Sequence, residues 1–131
     1  MMRCLTVLSL LLILFGCAAA VPAETLSVDG LQVTLTSPDN QTVNRAVDFT
    51  VDVRDAAGQP VDDASVYLDL DMPAMPMGVT RPVAEWRGGG RYTAMTAYTM
   101  AGLWEITVVI ERPDGSVSRV LFTRNVREEE E

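Results

Sequence analysis

Apolar and polar residues alternate with a period of two over most of the chain. Val47, Phe49, Val51 and Val53 are separated by Asp48, Thr50 and Asp52. Successive side chains of a strand point to opposite faces, so these four apolar residues share one face. Val66, Leu68 and Leu70 alternate in the same way with Ser65, Tyr67, Asp69 and Asp71. Trp104, Ile106, Val108 and Ile110 alternate with Glu105, Thr107, Val109 and Glu111, and Val120 and Phe122 repeat the pattern near the end. Turn-forming residues separate the runs. Ser37-Pro38-Asp39-Asn40 follows the first, Asp55 to Pro60 the second, and Gly88-Gly89-Gly90 precedes Arg91. Pro113-Asp114-Gly115 joins the last two as a hairpin. The spacing predicts seven strands, over 31–36, 47–54, 64–71, 79–86, 91–98, 103–111 and 116–126, and no helix is needed. Short strands with turns at this interval predict an all-β fold, an immunoglobulin-like β-sandwich of about seven antiparallel strands.

The first residues have a different character. Met1-Met2-Arg3-Cys4 is a short positive lead, and 5–15 is an apolar run broken only by Thr6 and Ser9. That run is too short to span a bilayer, which takes about 20 apolar residues. It has the form of the apolar region of a signal peptide. It ends in Leu14-Phe15-Gly16-Cys17, which resembles a bacterial lipobox, with Cys17 as the residue that receives lipid. Phe15 departs from the small or aliphatic residue usual there. Ordinary cleavage after Ala20 or Ala23 is the competing reading, and it would leave a secreted soluble periplasmic protein. On either reading the chain is exported, with one domain over 24–126 and a short charged tail over 127–131.

Composition narrows the function. The only cysteines are Cys4 and Cys17, and Cys4 leaves with the leader, so no disulfide is available within the domain. All ten basic residues are arginine, there is no histidine, and the formal charge is −8, or −9 once Arg3 is removed. This balance opposes nucleic-acid binding, which needs a basic stripe. Membrane attachment is expected through the lipid rather than through charge. An enzyme is not expected: no histidine or lysine is present, and no serine has a base to activate it.

The remaining chemistry is sulfur. Three of the five methionines beyond the initiator pair lie in Asp71-Met72-Pro73-Ala74-Met75-Pro76-Met77. Thioethers are soft ligands suited to Cu(I), and they are also ordinary fillers of irregular apolar gaps. In an extended or polyproline segment Met72 and Met75 project to similar sides. In the expected sandwich this segment connects the third and fourth strands. Met100 lies in the connection between the fifth and sixth, at the same end. Met72, Met75, Met77 and Met100 are therefore the candidate metal ligands. Trp104 reads as a core plug between the sheets, with Tyr92 near it. Gly88 to Gly90 lacks the lysine and helix of a phosphate loop and reads as a turn. Asp69 and Asp71 read as a solvated face.

The order Met75-Pro76-Met77, then Gly90-Arg91-Tyr92, then Met100 to Trp104 resembles the YtkA-like domain and the related FixH proteins. The resemblance covers 47–110. It implies an immunoglobulin-like sandwich outside the cytoplasmic membrane and a copper-handling role, with a copper acceptor or an oxidase assembly factor as partner. The chain departs from FixH in having a lipoprotein-like leader in place of a membrane helix. It departs from many relatives in having no histidine near the methionines, which turns the expected metal from Cu(II) to Cu(I). The alternative function is a non-metal interaction module of the cell envelope, using the same methionines as an apolar contact patch.

Overall fold

The computed structural model describes residues 23–38, 41–75 and 80–128. Cys17 and Met77 lie outside the described residues. The elements are β1 (Ala23–Val28), β2 (Leu31–Thr36), β3 (Ala46–Arg54), β4 (Ser65–Asp71), β5 (Glu85–Gly88), β6 (Arg91–Ala97), β7 (Gly102–Glu111) and β8 (Val117–Val126). Two antiparallel sheets face each other, in the orders β1-β2-β3-β6-β5 and β4-β7-β8. The alternating pattern is what builds the core. Val47, Phe49, Val51 and Val53 are buried from one sheet, and Val66, Leu68, Leu70, Ile106, Val108, Ile110 and Phe122 from the other. β2, β3 and β4 turn their apolar faces inward and leave their polar faces outward.

The architecture matches the expected sandwich, with two differences in its strands. The first is an added strand, β1, paired with β2 from Ala23↔Thr36 to Val28↔Leu31. Its two-residue turn has Asp29 at φ 49° and Gly30 at φ 76°. Positive φ at both positions is the hairpin turn whose twist suits antiparallel strands, and Asp-Gly is a preferred sequence for it. The second concerns the strand expected over 79–86. Thr80 and Val83 form isolated bridges to Leu70 and Tyr67 on β4, while Glu85–Gly88 crosses to pair with β6. Pro82 has no N–H for a regular ladder. Its carbonyl accepts from Leu68 N–H at 3.0 Å, and the Ala84 N–H donates to Val66 at 2.9 Å before the chain changes sheets.

The connections β2–β3, β4–β5 and β6–β7 gather at one end of the sandwich, together with the start of β1 and the end of β8. Ala23 is opposite Thr36, and Val126 is opposite Gly102. This is the end that carries Met72, Met75 and Met100.

Candidate metal centre at the methionine end

Met72 continues the inward phase of Val66, Leu68 and Leu70, one residue past the end of β4. It is accordingly buried, at 8% exposed. The segment that follows is not extended. The Met75 N–H donates to the Met72 carbonyl at 3.0 Å, which closes a turn over Pro73 and Ala74. Proline at the second position supplies the φ near −65° that such a turn needs. The Asp71 carboxylate accepts the Met72 N–H at 2.9 Å and fixes the turn's entry. The polyproline geometry expected for this segment is thus replaced by a hydrogen-bonded turn, which still keeps the two methionine backbones within about 7 Å of each other. The Met75 side chain is 48% exposed.

Met100 comes from the β6–β7 connection and packs, partly buried, against the core. Its carbonyl accepts the indole N–H of Trp104 at 2.9 Å. Trp104 is buried as a core plug, but its aromatic neighbour is Tyr98, with ring centroids 5.3 Å apart. Tyr98 in turn meets Phe49 edge-on at 6.1 Å. Tyr92, expected beside Trp104, instead donates its hydroxyl to the Val61 carbonyl at 2.8 Å. Six residues along β6 separate it from Tyr98, and the register carries it to the opposite end. The methyl carbon of Met72 lies directly over Gly102, two residues after Met100. The structure therefore brings Met72, Met75 and Met100 to one end, graded from buried to half-exposed. Met95, 66% exposed, points outward from β6 and takes no part in this arrangement.

The same end carries polar features that the sequence reading did not single out. Arg124 occupies an inward phase of β8, between Phe122 and Val126. Its Nε donates to the Ser37 Oγ at 3.1 Å and its Nη1 to the Glu24 carboxylate at 3.0 Å. These groups, with Gln41 and Arg127, line an open cleft of about 320 Å³. A charged residue in the apolar phase of a strand was the available signal. Among the described residues, the buried side-chain polar atoms without a hydrogen-bond partner are Gln41 Oε1, Thr42 Oγ1 and Tyr98 OH. All three lie in connections at this end. Burial pushes the Tyr98 phenol above its ordinary pKa, and the nearby Arg124 charge offsets this in part.

The donor set decides what chemistry this end can support. Among the described residues no three histidine, cysteine, aspartate or glutamate side chains gather into a metal-binding group. Neutral thioethers suit a soft, reduced ion. Asp69, its side chain 17% exposed, is occupied with Arg81 at 2.7 Å and Arg119 at 3.9 Å. Gly89 and Gly90 form the expected turn between β5 and β6, and Gly88 is the last residue of β5.

No curated protein matches the chain. Among solved structures it is similar to the crystal structure of the PmoD soluble domain from Methylocystis sp. (Rockwell), with a TM-score of 0.52 and 14% identity over 79% of this chain and 96% of that one. At that identity the likeness is one of fold. The model of the YtkA-like family matches residues 25–109, from β1 almost to the end of β7, and the chain belongs to that family.

Proposed function

We propose that this protein is a non-catalytic accessory lipoprotein of the cell envelope that holds Cu(I) at its methionine end and passes it on. The observation that supports the reading is the placement of Met72, Met75 and Met100 at the same end of the sandwich, with a half-exposed thioether in a proline-shaped turn. Met77, two residues on, completes the candidate set. The proline turn limits the conformations the loop loses on coordination. Thioethers carry no proton to displace, so affinity would be flat across physiological pH. Met72 serves the fold first. Its part in coordination would require its methyl to leave Gly102, so Met75, Met77 and Met100 would take the ion before it. The cargo is Cu(I), and Ag(I) is its redox-inert stand-in. The partner would be an envelope protein that accepts copper, an oxidase assembly factor among the candidates.

Anaerobic titration of the soluble domain with Cu(I) or Ag(I) tests the proposal. One equivalent should bind at micromolar concentrations, and Met75→Leu with Met77→Leu should abolish binding while the circular dichroism spectrum persists. A wild-type domain that binds neither ion would contradict it. A second reading, an interaction module without metal, draws on the exposure of Met75 as an apolar contact. It predicts that the same titration is empty.

A further inference from the structure

We infer that the lipid anchor turns the methionine end toward the bilayer, so that the site serves a partner seated in the same membrane. The inference rests on lipid attachment at Cys17 and on the metal reading of that end. The rest comes from topology and length. Ala23 begins β1 opposite Thr36, and Glu24 is bridged to Arg124 at 3.0 Å. Two residues beyond Arg124, Val126 pairs with Gly102, over which Met72 packs. The chain therefore enters the domain at the methionine end. Residues 18–22 separate Cys17 from Ala23. Fully extended, that stretch reaches about 20 Å. The sandwich is longer than that, because the ten residues of β7 or β8 span about 34 Å at the usual rise. Pointing the methionine end away from the membrane would put Ala23 beyond the tether's reach.

Orientation then selects the partner. A globular protein of about 100 residues has a radius of gyration near 13 Å, so it is wider than the 20 Å layer. A freely diffusing protein of that size does not fit beneath an end-on domain. A protein embedded in the same bilayer presents its own site at that height.

Distances from the membrane test this in the full lipidated protein. Nitroxide labels at Ala74→Cys, in the methionine turn, and Ala57→Cys, in the β3–β4 turn at the other end, are compared on vesicles doped with a nickel-chelating lipid. Relaxation at position 74 is expected to be about tenfold or more stronger than at 57, given the ~34 Å between the ends. Equal relaxation at both positions, or stronger relaxation at 57, overturns the orientation. A protein that fails to join vesicles, or a Cys17→Ser variant that joins them equally well, overturns the anchor and the inference with it. Ag(I) titration of the same vesicles reads the metal site separately, so a failure of the metal reading is distinguishable from a failure of the orientation.

Discussion

The methyl carbon of Met72 occupies the space that a side chain at Gly102 would need: a Cβ built there would lie 2.5 Å from Met72 Cε. Gly102 also has φ 131°, a conformation that L side chains rarely adopt. The Met72 methyl is the free end of a flexible side chain and is the only atom in the way, so it can swing aside at small cost. Gly102→Ala is therefore expected to lower stability by about 1–3 kcal/mol, chiefly through its backbone conformation. Met72→Ala added to it should recover only the small steric part and leave the backbone strain, so the two changes should depart little from additivity in a denaturant cycle.

Tyr98 gives an opposite sign. Its hydroxyl is buried without a partner among the described residues, while its ring packs on Phe49 and Trp104. Tyr98→Phe keeps the ring and removes the orphan, so stability should be unchanged or higher by about 1 kcal/mol. The folded protein holds the Tyr98 proton more tightly than the unfolded chain, since its pKa is raised. That contribution is present below the ordinary tyrosine value near 10 and is lost as pH rises through the folded value. Alkaline denaturation should therefore be milder in Tyr98→Phe than in the wild type, with Tyr92 supplying the remaining alkaline dependence.

The opposite end has an acid-sensitive brace. The Asp62 carboxylate accepts the Trp86 indole N–H at 3.0 Å and the Gly90 N–H at 2.6 Å. The Trp86 bond first, then the Gly90 bond, hold its pKa below the ordinary carboxylate value. Their support is present above that value and is lost as pH falls through the depressed one. The Trp86 indole resonance should stay constant from neutral pH down to about pH 4 and move below it. In Asp62→Ala it should start at the low-pH position and show no such step.

Exposure also orders the methionines by reactivity. Oxidation of a thioether follows its access to solvent. Met75 and Met95 should form sulfoxide well before Met72 under dilute peroxide, as read by peptide mass spectrometry. Ag(I) should protect Met75 and leave Met95 as reactive as before.

Much of this architecture is legible in the chain because burial and period coincide. The runs through Val47 and Trp104 alternate cleanly, and their inward residues are those the core buries. β1 is less legible. It is an edge strand that buries little, so alternation in Thr25 to Val28 is weak, and only the Asp29-Gly30 turn announces it. The 79–86 run fails as one strand because Pro82 breaks the ladder and the chain changes sheets. Tyr98 takes the place beside Trp104 expected for Tyr92, because cross-sheet neighbours depend on register, which spacing along one strand does not carry. The methionine end follows from strand order alone. The depth of each sulfur does not, since Met72 is placed by the end of the core and Met75 by a turn.

The central claim is that thioethers at one end bind a soft ion, and the methionine methyl resonances report on it directly. The domain is labelled with 13C at the methionine methyl groups and titrated with Ag(I). The resonances of Met75, Met77 and Met100 should shift together and saturate at one equivalent, with Met72 following, while Met95 stays in place. Resonances that do not move, or a shift confined to Met95, would contradict the account.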